Sequence, residues 1–218
     1  MWYDDLFNEI INAKNIMQAA PMSAYMKNQF DFLGLPSSAR SGIFEKYFKQ
    51  EKQSKNIDWD FVFKCWECGY RELQYIAVDY LLRKHKYLTY KDIDNLKNLI
   101  TTKSWWDTVD SFNRIFGTLL IKYPSVKDTM LQWSADDNIW LKRTAIICQL
   151  NLKEKTDAGL LEKIICNNFG TNEFFINKAI GWSLRQYSKT NPDWVRGFIN
   201  RYNDKLSKLS VREGSKYI

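Results

Sequence analysis

The string Ala145-Ile-Ile-Cys-Gln-Leu150 has a close counterpart 34 residues further along the chain, in Ala179-Ile-Gly-Trp-Ser-Leu184. Each string begins with alanine followed by isoleucine, and a leucine lies four positions beyond the isoleucine. Four residues are about one helical turn, so the isoleucine and the leucine lie on one stripe of a helix. The two strings therefore predict a helical repeat.

The same period extends outward along most of the chain. The first stripe position is occupied by Phe44, Val78, Phe112, Ile146 and Ile180. The second is occupied by Phe48, Leu82, Phe116, Leu150 and Leu184. A further set with this spacing is also apolar throughout and comprises Val62, Leu96, Met130, Ile164 and Phe198. Because the sets require separate helices, each repeat is predicted to contain a helix pair.

Helix pairs that bury their apolar faces only against neighbouring pairs form a solenoid. The fold class predicted is all-α, a HEAT-like helical-repeat solenoid of about six helix pairs with a concave basic face. Residues 1–218 are expected to form one domain. A period of 34 is also the tetratricopeptide length, but the Gly, Tyr and Pro signature of that repeat does not recur in register.

Composition excludes a disordered chain, since 45% of residues are hydrophobic and 26% are charged. Lys and Arg number 32 against 25 Asp and Glu, giving a net charge of +7 that favours an anionic polymer only modestly. No apolar run approaches the ~18 residues that span a bilayer. The beginning of the chain is acidic where a secretory signal is basic, so a cytoplasmic protein is expected.

A metal site lacks ligands in this sequence. Cys65-Trp-Glu-Cys68 has the CxxC spacing, but no second pair exists and His85 is the sole histidine. No βαβ pattern surrounds the motif, which weakens a redox role. The cysteines are therefore predicted to be structural thiols.

Large aromatic side chains are predicted off the core stripe, beside a carboxylate. Measured from Phe112 at ~100° per residue, Trp105 lies within ~20° of the core stripe and is predicted to be an ordinary packing residue. Trp106 lies near ~120° and Asp110 near ~160°, one turn apart on the same side. Trp182 is predicted to point away from the core. Lateral packing of the indoles and a solvated helix acid are the simpler interpretations. Together, however, indoles and a carboxylate form a site that attracts cations, such as an alkylated purine on a nucleic acid.

Basic residues near these positions could form one electropositive track, although scattered lysines also serve solubility. They are Lys27, Arg40, Lys103, Arg114, Lys142, Arg143, Lys178 and Arg185. Among them, Arg143 is expected at the edge of its helix.

Four strings, in order along nearly the whole chain, resemble the AlkD-like DNA alkylation repair family of HEAT-like-repeat glycosylases. They are APMSAYMKNQF at 20–30 with FLG at 32–34, KSWWDTVD at 103–110, DNIWLKRTAI at 137–146, and FFINKAIGWSLR at 174–185 followed by KTNP at 189–192. The short tail after Arg212 is expected to lack part of the family's last helix, and with it some C-terminal DNA contacts.

The resemblance implies hydrolysis of the N-glycosidic bond of N3- and N7-alkylated purines in duplex DNA, without a metal or cofactor. It assigns the functional aspartate to Asp110, the cleft tryptophans to Trp106 and Trp182, and a phosphate-contacting cleft arginine to Arg143. Tyr25 would contact the lesion strand. Further DNA contacts are expected from Lys27, Lys103, Lys142, Lys178 and Arg185.

The expected partner is duplex DNA containing alkylated purines, and the expected protein is a monomer in a bacterial-type cytosol, associated with the nucleoid. Two alternatives remain open at this stage. A non-catalytic binder would hold duplex nucleic acid without releasing bases, and a protein-binding scaffold would present an apolar or acidic concave face.

Overall fold

The computed structural model describes residues 1–218 and is helical throughout, with no strand. The sole sheet-like contact is an isolated bridge between Asp31 and Tyr70. The predicted all-α class is therefore confirmed. No helix combines the length and the apolar character needed to cross a bilayer. The chain divides into two compact units, Met1–Tyr87 and Leu88–Ile218.

The first unit contains five α-helices. They are α1 (Asp4–Asn12), α2 (Ile16–Tyr25), α3 (Ser37–Glu51), α4 (Trp59–Glu67) and α5 (Arg71–Lys84). Its core is rich in aromatic rings, with Phe44 and Phe61 stacked at 6.3 Å and Tyr80 packed edge-on against Phe61 at 5.1 Å. All three rings are fully buried, which anchors α3, α4 and α5 to one another.

Helix α2 has no fully buried residue and only three half-buried ones, so its own side chains contribute little to the core. The segment that follows it is bound instead by the buried carboxylate of Glu72, which accepts hydrogen bonds from the backbone N–H groups of Leu33, Gly34 and Leu35 at 2.9–3.1 Å. Gly34 has φ +86°, and a Cβ there would lie 2.0 Å from the Asn15 carbonyl oxygen. Glycine is therefore required where this segment passes the start of α2.

The second unit contains the remaining helices. They are α6 (Ile93–Thr101), α7 (Trp106–Val109), α8 (Asn113–Lys122), α9 (Val126–Ser134), α10 (Ile139–Ile147), α11 (Ala158–Cys166), α12 (Phe174–Ser188), α13 (Pro192–Arg201) and α14 (Lys208–Gly214). A short 3₁₀ turn, Asp110–Phe112, joins α7 to α8. Polar residues cap several helix starts. For example, Asn138 accepts from the backbone of Trp140 and Leu141, and Asn191 accepts from Trp194.

The helix starts alternate along the chain as a helix-pair repeat requires. One series of helices begins at Trp59, Ile93, Val126, Ala158 and Pro192, and the other at Arg71, Trp106, Ile139 and Phe174. This spacing is consistent with a helical-repeat fold. The uniform 34-residue period, the single domain and the concave basic face stay predictions.

The predicted stripe residues lie in the core. Every member of the first set is buried, and so are Val62, Leu96, Met130, Ile164 and Phe198. In the second set, Leu82 and Leu150 are only half-buried. The 34-residue pattern therefore located the buried face of each helix correctly, with less complete burial at two positions.

Candidate active site

Asp110 lies at the junction of α7 and α8, where the backbone tightens into the 3₁₀ turn. Its backbone N–H donates to the carbonyl of Trp106 one turn earlier. Val109 and Phe112, on either side of it in sequence, are fully buried and anchor the turn to the core. These two anchors leave the Asp110 carboxylate on the opposite side, with 18% of its side chain exposed.

Arg143, on α10, holds that carboxylate in a bidentate ion pair. Its Nε donates to Oδ1 of Asp110 at 2.6 Å, and its Nη2 donates to Oδ2 at 2.7 Å. Its Nη1 donates to the carbonyl oxygen of Phe175 at 2.5 Å. Parallel bonds of this kind hold a carboxylate in one orientation, because the planar guanidinium matches both oxygens at once.

The sequence places Arg143 at a helix edge and the resemblance gives it a phosphate contact, whereas the structure leaves only 5% of its side chain exposed. Three of its five N–H donors already have partners within the protein. The buried guanidinium therefore binds the Asp110 carboxylate and the backbone of α12, and most of its donors are not available to a phosphate. This geometry corrects the edge position expected from the sequence.

Burial raises the pKa of the Asp110 carboxyl above its ordinary value of 3.8, because a low-polarity surrounding disfavours the charged form. The hydrogen bonds and positive charge of Arg143 lower that pKa and oppose the rise. The negative charge of Asp107 adds to it. The carboxylate is thus enclosed yet held by a permanent cation, as a charged group in a protein interior must be.

An aromatic cluster stands beside the ion pair. Trp105, Trp140 and Phe175 form a triangle with ring centroids 5.1–5.7 Å apart. The Nε1 of Trp105 is buried and has no hydrogen-bond partner. Phe174 extends the cluster outward, 5.5 Å from Phe175, and is 57% exposed. The predicted packing role of Trp105 is therefore confirmed, and its partner is Trp140, the period equivalent of Trp106.

Trp106 is the first residue of α7, and Trp182 lies in the middle of α12. Both are half-buried, so each presents part of its indole at the surface. Asp110, Arg143 and both tryptophans belong to the second unit.

The predicted DNA contacts differ in their surroundings. Lys178 and Arg185 pair with the buried Glu213 of α14 at 3.2 and 2.9 Å. Lys103 is exposed, with φ 48°, and Lys142 is half-buried. Tyr25 and Lys27 are exposed and belong to the first unit.

Arg40, also included in the predicted basic track, is buried in the first unit. It stacks on the ring of Tyr75 at 4.8 Å and pairs with Asp79 at 3.5 Å. The prediction that Arg40 belongs to the basic track is therefore wrong, because its guanidinium pairs with Asp79 within the first unit. Arg114 is exposed on α8.

The cysteines and acidic side chains form no metal site. No three side chains among His, Cys, Asp and Glu come together in an arrangement that could hold an ion. Cys65 and Cys148 are buried thiols, and burial raises the pKa of each. A raised pKa disfavours the thiolate on which redox exchange depends.

Sequence reasoning missed the pairing of Asp110 with Arg143 and the role of Glu213. A signal for the pair exists, since the two residues are 33 positions apart, close to one repeat, and lie on successive helices of the same series. A similar spacing joins Glu213 to Lys178, 35 positions earlier, whereas no repeat spacing relates Glu213 to Arg185, which packing of α14 against α12 brings to it.

A sequence model of the DNA alkylation repair enzyme family matches residues 7–218. A solved structure described as a predicted DNA alkylation repair enzyme from Enterococcus faecalis is 39% identical in sequence. It covers 94% of this chain and 96% of its own, with a TM-score of 0.86. No curated protein matches. Since the family match spans nearly the whole chain, this protein belongs to the DNA alkylation repair enzyme family.

Proposed function

We propose that the protein is a DNA glycosylase that hydrolyses the N-glycosidic bond of cationic N3- and N7-alkylated purines in duplex DNA. Membership of the family supports the wider role in alkylation repair and the binding of DNA. The observation that carries the finer proposal is the enclosed carboxylate of Asp110, held in one orientation by Arg143.

The chemistry asked of this carboxylate is limited. An alkylated purine already carries a positive charge, so it leaves as a neutral base when the bond between C1′ and nitrogen breaks. The sugar then develops the positive charge of an oxocarbenium ion, which a fixed negative charge stabilises. A water oxygen forms the new bond to C1′, and its proton passes to Asp110 or to solvent.

Arg143 is a positioning residue in this proposal. A buried carboxylate without a partner would take up a proton and lose the charge that the reaction uses. The bidentate pair keeps Asp110 ionised and uses one lone pair of each oxygen, leaving a second lone pair on each for water or the sugar. Trp106 of α7 and Trp182 of α12, both half-buried, would hold the damaged nucleotide.

The test is single-turnover incubation with duplex DNA containing 7-methylguanine, followed by chromatography of the released bases. Release of the free methylated base is expected, with little release of neutral lesions because no general acid is proposed. Tight binding without any base release would favour the non-catalytic binder. Efficient removal of neutral lesions would contradict the argument from the leaving group.

A further inference from the structure

Three cations meet one buried carboxylate where α14 packs against α12. Glu213 keeps only 6% of its side chain exposed. Its Oε1 lies 3.2 Å from Nζ of Lys178, and its Oε2 lies 2.9 Å from Nη1 of Arg185 and 3.0 Å from Nζ of Lys216. These four residues are named the Glu213 cluster, and their formal charges leave an excess of two positive charges.

The close approach of the two helices creates this arrangement. A Cβ on Gly181 would lie 2.6 Å from Cβ of Glu213 and 3.1 Å from the carbonyl oxygen of Ser210. Ser210 in turn donates from Oγ to the backbone carbonyl of Asn177 at 2.9 Å. The absence of a side chain at Gly181 brings the Glu213 carboxylate within reach of α12, one turn to either side.

The cluster adjoins Trp182 on α12. At about 100° per residue from Gly181, Arg185 lies near ~40°, Lys178 near ~60° and Trp182 near ~100°. The two cations therefore lie between the direction that faces α14 and the direction of the indole. An anion bound between Lys178 and Arg185 would therefore lie close to a nucleotide held by Trp182.

We propose that the Glu213 cluster is a phosphodiester-binding site, in which Glu213 positions Lys178, Arg185 and Lys216 so that together they bind one backbone phosphate of DNA. The inference rests on the proposed function for its partner and adds Glu213 and Lys216 to the interface. The cations remain 40%, 26% and 46% exposed respectively, so an anion can reach them while the carboxylate stays covered. The Glu213 carboxylate neutralises only one of the three positive charges, and a bound phosphate would neutralise another.

The direction in which Glu213→Gln changes the affinity for DNA distinguishes a positioning role of Glu213 from a simple effect of its charge. Removing a negative charge ordinarily strengthens binding to a polyanion, and this is expected for Glu154→Gln at an exposed site in the same unit. Glu213→Gln is expected instead to weaken binding to undamaged duplex DNA about tenfold, since the cations lose their common anchor. Binding that is unchanged or tighter than wild type would overturn the proposal.

A second variant is independent of the buried position and its effect on folding. Lys216→Met removes an exposed cation, and it is expected to reduce the slope of log K against log salt concentration by about 0.9, one phosphate contact. Lys155→Met, an exposed lysine outside the cluster, is the control and should leave the slope closer to wild type. Equal slopes for wild type and Lys216→Met would also overturn the proposal.

Calorimetry with inorganic phosphate alone distinguishes a free anion from the DNA backbone as the source. Saturable phosphate binding that disappears in Lys216→Met, together with an unaltered DNA slope, would assign the site to a free anion instead. All of these measurements use undamaged DNA or phosphate and need no base release. Failure of the glycosylase proposal therefore leaves this test intact, and the reverse also holds.

Discussion

The guanidinium of Arg143 and the carboxylate of Asp110 meet in a bidentate pair with N–O distances of 2.6 and 2.7 Å, and both side chains are largely withdrawn from solvent. The pair joins α10 to the turn between α7 and α8. The pair holds the Asp110 carboxylate in a single orientation. Three of the four predictions below concern this pair.

Asp110→Asn is expected to reduce single-turnover release of 7-methylguanine by on the order of 10²-fold or more, because the amide keeps the shape but loses the charge. Binding to the damaged duplex should change little. Asp128→Asn is the control, since it removes the same charge at an exposed site in the same unit. Equal rates for wild type and Asp110→Asn would dismiss Asp110 as the catalytic residue.

Arg143→Gln is expected to lower the free energy of unfolding by about 3–5 kcal/mol, because it leaves a buried charge without its partner. In the double variant with Asp110→Asn, part of that stability should return, while base release stays as low as in Asp110→Asn alone. Chemical denaturation together with the release assay measures both quantities. A double variant no more stable than Arg143→Gln would show that the ion pair does not account for the loss.

The release rate is expected to fall as the pH drops through the pKa of Asp110, since only the carboxylate stabilises the oxocarbenium ion. Because burial raises that pKa, the fall should begin above the pH at which an ordinary Asp, with a pKa of 3.8, would titrate. Arg143→Lys, which cannot make the bidentate contact, should shift the acid limb to higher pH. Superimposable pH profiles for the two proteins would contradict this role of Arg143.

Gly181→Ala is expected to destabilise the fold by about 1–3 kcal/mol, since the new methyl group overlaps Cβ of Glu213 and the backbone of α14. Gly197→Ala, in the exposed interior of α13 with nothing within 4 Å of the new Cβ, should instead stabilise it by about 0.5–1 kcal/mol. Thermal unfolding of both variants is the measurement. A Gly181→Ala variant as stable as wild type would show that α12 and α14 can separate at little cost.

Much of the candidate site was accessible from the pattern of residues. The 34-residue series identified the buried faces, and residues that do not fit those faces, such as Trp106 and Asp110, became candidates by elimination. The environment of the charged residues was not accessible. Arg143 and Arg40 resemble any other basic residues in sequence, yet both are buried in the structure.

What the sequence by itself determined was the class of fold and the inward face of its helices, because apolar spacing reports directly on which side of a helix avoids water. What only the tertiary structure decided was the partner of each charge. Asp110 is paired with Arg143, and Lys178 and Arg185 with Glu213, by contacts between helices that lie about 30 residues apart in the chain. Such pairs depend on distances of a few ångströms and on the exclusion of solvent, and both are set by packing, through details such as the missing side chain at Gly181.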